Sequence, residues 1–217
     1  MLAHVMRLGT SACRVRSTPY PTQAGNVEVT FDGVPAPLLW VQDAQINAAV
    51  PWEIAGPATQ VCVTYNNVKT NCLTWPVAQA TPAVFMQDSS YAAALNQDGT
   101  PNSAANLAQP NSIVSVFATG LGPISPAQPD GSLIGLPLPV NVLPIELKSC
   151  TVEPFTGMCS FQPLPSPTTT YAGPAQSQIA GVSQISFHAS NLGSYLYVTV
   201  GSAAATSNSF QIHVAGQ

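Results

Sequence analysis

The chain has 217 residues, of which 6% are charged, and its formal net charge is −4. About 25% of the residues of a typical soluble domain are charged, so Asn, Gln, Ser and Thr must hydrate this surface. The five cations form no cluster: they are Arg7, Arg14, Arg16, Lys69 and Lys148. Nucleic-acid binding and polybasic attachment to a membrane both need clustered cations, so we expect neither. An apolar stretch of about 18 residues, which a transmembrane helix needs, is also absent.

The 21 prolines and 15 glycines favour many short strands joined by turns over long helices. Residues 5–10 are the first predicted strand. Residues 1–21 do not read as a signal peptide, because Arg7 interrupts the apolar stretch. We therefore expect the start to be internal to a longer protein, and export can be argued only from composition and cysteines.

The next strand is predicted at residues 26–31, where Val27, Val29 and Phe31 alternate with polar residues. This period of two is typical of a half-buried strand in an antiparallel sheet. Asp32-Gly33 supplies the turn that follows it.

A hairpin is predicted from residue 61 to residue 77, with Asn66-Asn67 as its turn. Cys62 and Cys72 would lie nearly opposite each other, and facing Cα atoms roughly 4.5–5.5 Å apart allow a disulfide. Closing this short loop would contribute about 2–3 kcal/mol. Trp75 shares a face with Leu73 and Val77, which predicts a core position.

Cys150 and Cys159 are predicted to form a second local disulfide, which leaves Cys13 without a partner. The alternative is that all five cysteines are small buried hydrophobic residues. The chain has no Cys-x-x-Cys motif, which argues against a zinc site.

An internal duplication is the most informative feature of the chain. Residues 44–51 (AQINAAVP) recur as residues 183–190 (SQISFHAS). Each copy is followed by a turn with glycine, a β-rich run and a final strand, at 60–65 and 73–77 in the first copy and at 195–200 and 210–214 in the second. The front of the second copy, residues 112–121, faintly matches residues 5–10.

This duplication predicts an all-β fold of two immunoglobulin-like β-sandwich repeats, with roughly seven short strands each. Repeat 1 is predicted at residues 1–80, and a truncated N-terminal strand is one alternative for its start. Residues 81–111 are predicted as a short β-hairpin connector, and repeat 2 as residues 112–217.

The chain resembles a family of C-terminal domains without established activity in Solibacter-type acidobacterial secreted proteins. The matching pieces follow the family order: 33–39 (GVPAPLL), 45–47 (QIN) with 50–53 (VPWE), 81–85 (TPAVF), 94–100 (ALNQDGT) and 118–123 (ATGLGP). Each half also resembles IPT/TIG-type immunoglobulin-like domains. Repeat 2 departs from the family pattern at Ser186, at Ala189-Ser190 and in the long insertion around residues 150–170. Family members follow propellers, other repeats or enzymatic modules, so the resemblance implies an appended extracellular module.

Residues suited to catalysis are few. The histidines are His4, His188 and His213, and the last two are expected on outward strand faces. No nucleophile elbow or paired histidine motif occurs. Paired carboxylates could hydrolyse glycosides, but solvation explains the acids of repeat 1 more simply: Glu28, Asp32, Asp43 and Glu53. Asp98 and Asp130 precede glycine and read as turn residues. We therefore expect no enzyme activity, no metal and no cofactor.

The sequence favours a non-catalytic structural or interaction module at the cell surface or outside the cell. It would display or space upstream domains of a larger protein, or adhere to another surface protein. The alternative is a carbohydrate-binding module that uses Trp52, Trp40 and Tyr65 as exposed aromatics. A hydrolase is a third class, which the residues support least.

Overall fold

The computed structural model describes residues 13–14, 18–152, 159–160, 168–190, 192–201 and 205–216. This part of the chain is all β, with twenty strands and no helix, as predicted. No described segment is a helix that could cross a membrane. The chain divides into two compact units, each made of three segments. Unit 1 contains Met1–Gln79, Pro126–Leu138 and Gln176–Gly181, and unit 2 contains Ala80–Ser125, Pro139–Ala175 and Val182–Gln217.

Unit 1 is a β-sandwich with two antiparallel sheets. The larger sheet has the order β2-β3-β7-β8, with β4 on β3 and β9 on β7, and the smaller has the order β1-β5-β6. The strands are β1 (Cys13–Arg14), β2 (Gln23–Ala24), β3 (Val27–Phe31), β4 (Val34–Pro35), β5 (Leu38–Gln42), β6 (Gln45–Ala48), β7 (Ala58–Tyr65), β8 (Val68–Lys69) and β9 (Leu73–Pro76). Both sheets contribute to one core, which contains Val27, Val29, Phe31, Leu38, Val41, Ile46, Val61 and Val63. The predicted alternation of residues 27, 29 and 31 is confirmed.

The predicted hairpin turn is present between β7 and β8. Asn66 and Asn67 have φ values of 49° and 63°, and asparagine tolerates this left-handed region better than most residues. A disulfide joins Cys62 to Cys72, whose Cα atoms are 4.4 Å apart. The close approach follows from the register, in which Val61 lies opposite Leu73.

The prediction that Trp75 belongs to the core is wrong. Trp75 and Leu73, which shares its face, are 40% and 50% exposed. They lie opposite Thr59 and Val61, which are buried, so they point to the core side of the sheet. Within the described residues β9 pairs with β7 alone, and the core ends before it covers this edge.

Unit 2 is built mainly from two antiparallel sheets, with a small third pair of strands, β13-β14. The first sheet has the order β10-β12-β18-β17 with β11 on β12, and the second has the order β16-β15-β19-β20. The strands are β10 (Ala83–Val84), β11 (Ala94–Leu95), β12 (Ile113–Thr119), β13 (Ile124–Ser125), β14 (Val140–Asn141), β15 (Ile145–Val152), β16 (Cys159–Ser160), β17 (Thr169–Pro174), β18 (Val182–His188), β19 (Tyr195–Val200) and β20 (Ala205–Thr206). The largest buried side chains of its core include Ile185, Phe187, Leu196 and Phe210.

Residues 81–111 are not a separate connector between two repeats. β10 and β11 both pair with β12, and Val84, Ala92, Ala94 and Ala108 are buried in the core of unit 2. Two segments that were predicted in repeat 2, Pro126–Leu138 and Gln176–Gly181, belong to unit 1 instead. They are joined to each other by a bridge between Leu133 and Ile179.

The two units have corresponding strand pairings. In each, the strand with the Gln-Ile motif pairs with the strand before it (β6 with β5, β18 with β17), and the next strand pairs with an earlier one (β7 with β3, β19 with β15). A later segment then pairs with β7 or β19. In unit 1 it is β9, which pairs with β7, and in unit 2 it is Phe210, which bridges Leu196 of β19. One difference is that β18 also pairs with β12, whereas the described residues give β6 only β5 as a neighbour. The predicted strand at residues 5–10 lies outside the described residues.

Two asparagine side chains in unit 2 act as substitutes for a neighbouring strand. Asn102 accepts from His213 N–H and donates to His213 C=O, each at 2.8 Å. Asn208 bonds Val84 in the same way, accepting at 2.8 Å and donating at 3.2 Å. Because a side-chain amide has the same donor and acceptor as a peptide group, it can satisfy both backbone groups of one residue.

Replacing Asn102, which is 1% exposed, with alanine should therefore destabilise the protein by about 1–3 kcal/mol, because the His213 N–H loses its acceptor, whereas the His213 carbonyl keeps the Ala108 N–H. Urea denaturation followed by circular dichroism measures this change. Asn71→Ala is the matched control, since Asn71 is exposed and its removal should cost less than about 0.5 kcal/mol. Equal stability of the two variants would contradict the proposed role of Asn102.

Candidate functional site

The three aromatic residues predicted as glycan contacts lie in different environments. Trp52 is 38% exposed. Trp40 is half-buried on β5 opposite Asn47, and Tyr65 is half-buried at the end of β7, where it packs against the core. Since β5 and β7 belong to different sheets, the fold does not place these side chains in one row. Trp52 is the most accessible of the three.

Trp52 lies in a turn that is anchored on both sides. Pro51 is buried before it, and Ile54, which packs against the core of unit 1, donates its N–H to the Pro51 carbonyl at 3.3 Å. Anchoring these neighbours leaves the two residues between them, Trp52 and Glu53, exposed to solvent.

Asp130 reaches this turn from the distant segment Pro126–Leu138. Its carboxylate accepts the backbone N–H of Trp52 at 3.2 Å. The next residue, Gly131, has φ +70° and accepts the N–H of Tyr20 at 2.8 Å. A Cβ atom at Gly131 would lie 2.8 Å from the Tyr20 carbonyl oxygen, so glycine is required for this approach. We call Trp52, Glu53 and Asp130 the Trp52 surface.

The pKa of Asp130 is raised above its ordinary value. Partial burial is the main cause, and the negative charge of Glu53 and a hydrogen bond with its side chain act in the same direction. The Trp52 N–H opposes this shift because it stabilises the ionised carboxylate. The two carboxyl groups therefore interact directly, and a proton held by Asp130 lets it donate to Glu53.

The Trp52 surface can bind more readily than it can catalyse. Carboxyl groups that hydrolyse glycosides stand about 5–9.5 Å apart so that a sugar or a water fits between them. Glu53 raises the pKa of Asp130 through its charge and a side-chain hydrogen bond, so the two carboxyl groups act on each other and not from opposite sides of a sugar. An exposed indole beside carboxyl oxygens instead provides a stacking surface and hydrogen-bond acceptors for a polar ring.

The other candidate residues are engaged with the chain itself. His188 Nδ1 lies 2.9 Å from the Asn111 carbonyl oxygen, and the His213 ring stacks on Tyr91 with centroids 3.7 Å apart. Three exposed aspartates accept hydrogen bonds from backbone N–H groups. Asp32 accepts from Gln60, Asp88 accepts from Ser90 and Tyr91, and Asp98 accepts from Thr100. These contacts lower the pKa of each aspartate; for Asp98 the Thr100 hydroxyl is the larger cause.

Glu28 lies on β3 and Asp43 in the turn after β5, so neither belongs to the Trp52 surface. His4 lies outside the described residues. Among the residues that the structure describes, no group of three or more His, Cys, Asp or Glu could hold a metal ion.

In the first copy of the motif, Gln45 Nε2 donates to the side-chain carbonyl of Asn47 at 2.7 Å. The equivalent residue in the second motif, Gln184, donates to Ser186 at 2.9 Å. Both pairs lie on the strand face opposite the buried isoleucine between them, Ile46 or Ile185. The motif thus combines a core isoleucine with a hydrogen-bonded pair on the other face.

Cys150 is disulfide-bonded, but the side chain of Cys159 lies outside the described residues. The Cys150–Cys159 pairing therefore stays a prediction.

Comparisons with known proteins found no matching family model, curated protein or solved structure.

Asp130→Asn should make the protein more stable at pH 7. The folded state binds the Asp130 proton more tightly than the unfolded state, whose pKa is near 3.8, so stability falls as the pH rises from 3.8 through the raised pKa. Asparagine cannot ionise, yet it can still donate to Glu53 and accept from Trp52. The gain should therefore shrink as the pH falls towards 3.8.

Urea unfolding between pH 3 and pH 8 measures this difference. In a Glu53→Gln background the same substitution should have a smaller effect, because the repelling charge is already absent. A destabilised Asp130→Asn variant at pH 7 would contradict the assigned pKa direction.

Proposed function

We propose that the chain is a non-catalytic structural or interaction module of a larger secreted or cell-surface protein. It displays or spaces the domains before it, or adheres to another surface protein. One observation carries this proposal: the polar side chains that could form a reactive site are used to hold the chain's own loops and strands. Asn102, Asn208, His188 and Asp32 all bond backbone groups.

The disulfides support a location outside the reducing cytoplasm. The Cys62–Cys72 bond closes a loop within one sheet, and Cys150 is also bonded. Disulfides persist mainly in secreted, periplasmic and surface proteins. The low proportion of charged residues does not oppose this assignment.

We also propose that the two units derive from one duplicated immunoglobulin-like repeat. Support comes from the corresponding strand pairings and from the Gln45–Asn47 and Gln184–Ser186 pairs, which occupy the same place in the two motifs. Each motif precedes a strand that crosses to a distant partner, β7 to β3 and β19 to β15. A protein built from similar units is suited to act as a spacer, because each added repeat lengthens the protein.

Carbohydrate binding is the second candidate, and the Trp52 surface favours it. The exposed Trp52 indole offers an apolar face, and the neighbouring Glu53 and Asp130 carboxyl groups offer hydrogen-bond acceptors. Sites for small polar ligands commonly combine an aromatic surface with a few convergent polar groups. Trp40 and Tyr65, the other aromatics of this candidate, are half-buried and contribute less.

The main proposal predicts no turnover in a broad screen of peptidase, esterase and glycosidase substrates. The control is the Glu53→Gln/Asp130→Asn double variant, which removes both carboxylic acids of the Trp52 surface. Turnover by the wild type that this double variant lacks would show that the module is an enzyme.

The carbohydrate candidate predicts that an oligosaccharide found on a glycan array binds the wild type in calorimetric titrations. Trp52→Ala should weaken this binding about tenfold, since one aromatic contact is worth on the order of 1–1.5 kcal/mol. Trp75→Ala is the matched control, because Trp75 is similarly exposed in the same unit but lies on β9. No array hit, or equal losses in the two variants, would reject the carbohydrate candidate and leave the structural proposal standing.

A further inference from the structure

Strand β9 (Leu73–Pro76) is weakly packed although it completes one edge of the larger sheet of unit 1. All four of its residues are exposed. Even its two large apolar side chains, Leu73 and Trp75, are 50% and 40% exposed. Burial of apolar surface is the main source of strand docking energy, so β9 must be held to β7 largely by other interactions.

The Cys62–Cys72 bond lies where β9 begins. Cys62 belongs to β7 and is 5% exposed, whereas Cys72 directly precedes β9 and is exposed. Apart from the disulfide, the residues before β9 are held by a hydrogen bond in which the Thr70 N–H donates to the Val63 carbonyl at 2.8 Å. At the far end of β9, the Val77 N–H donates to the Pro57 carbonyl at 3.0 Å.

The rest of the sheet does not depend on this bond. β3 and β7 pair over five residues, from Val27 opposite Tyr65 to Phe31 opposite Val61. Their inward side chains form the core with the second sheet. Loss of the disulfide removes no residue from that core.

We propose that the Cys62–Cys72 disulfide is a redox-controlled latch on β9. Its reduction releases β9 from β7, while β3 and β7 stay paired. Release uncovers the backbone N–H and C=O groups of β7 between Ala58 and Val61 that pair with β9. The sheet edge at this position is then β7 instead of β9, and an unpaired strand edge is the kind of surface on which other strands assemble. The inference does not depend on the proposed function.

The reduction itself is a thiol–disulfide exchange with an external dithiol. A thiolate of the dithiol attacks Sγ of Cys72, the exposed member of the bond. The S–S bond breaks, and Cys62 leaves as a thiolate that takes a proton. The second thiol of the reagent then attacks the mixed disulfide, so Cys72 is released as a thiol and the reagent leaves as a disulfide. The protein gains two electrons and two protons, and the dithiol loses them.

Amide hydrogen exchange of the full chain tests the latch. Three samples are compared: the oxidised protein, the protein reduced with dithiothreitol, and the Cys62→Ala/Cys72→Ala variant, which retains the cysteines of unit 2. In the reduced protein and in the variant, the β9 amides should exchange about a hundredfold faster than in the oxidised protein, because loop closure no longer restrains the strand. The amides of Glu28 and Thr64, which face each other in the β3–β7 ladder, should keep their protection.

Three results would overturn the proposal. Unchanged exchange in β9 would mean that backbone pairing alone holds the strand. Joint loss of protection at β9, Glu28 and Thr64 would mean that the disulfide stabilises the whole unit and is not a latch. Release in the reduced protein but not in the double variant would trace the effect to the disulfide of Cys150.

Discussion

Each unit depends on the pairing of two strands that are distant in sequence, β3 with β7 in unit 1 and β15 with β19 in unit 2. In the first pair, Val29 lies opposite Val63, and in the second, Leu147 lies opposite Val198; all four side chains are buried. Because each pair closes a long loop, the chain loses conformational entropy when the strands meet, and this loss is offset only when the core is buried. The strands between them, β5 and β6 or β17 and β18, then form the sheet that covers this pair.

Side-chain amides and hydroxyls do much of the work that charges do in other proteins. The described residues contain one ion pair, Lys148 with Glu146 at 3.1 Å, and both side chains are largely exposed, so its contribution is small. Asn102 and Asn208 instead bond the backbone groups of His213 and Val84. A neutral amide makes both bonds without the desolvation cost of a buried charge, which explains how so few charged residues suffice.

Local periodicity predicted the features that depend on neighbouring residues. The alternation of Val27, Val29 and Phe31 and the turn at Asn66-Asn67 are examples, and the register of that hairpin brings Cys62 to Cys72. Periodicity could not predict how far a core extends, so Trp75 was placed inside although it lies at an uncovered edge. It also could not reveal that the core of unit 2 recruits Val84 and Ala94. The contact between Glu53 and Asp130 joins residues with no shared pattern, and only the folded chain brings them together.

The Glu53–Asp130 contact is notable because the chain has only nine acidic residues. The charge of Glu53 disfavours the ionisation of Asp130, although the Glu53 side chain is exposed to solvent. The bond from the Trp52 N–H holds Asp130 in place, and the Gly131–Tyr20 bond holds its segment. Perturbed carboxyl groups are enriched at functional sites, although purely structural contacts also perturb them. An exposed indole next to the pair distinguishes this place from the aspartates that only cap turns, so a ligand of this module should be sought first at Trp52.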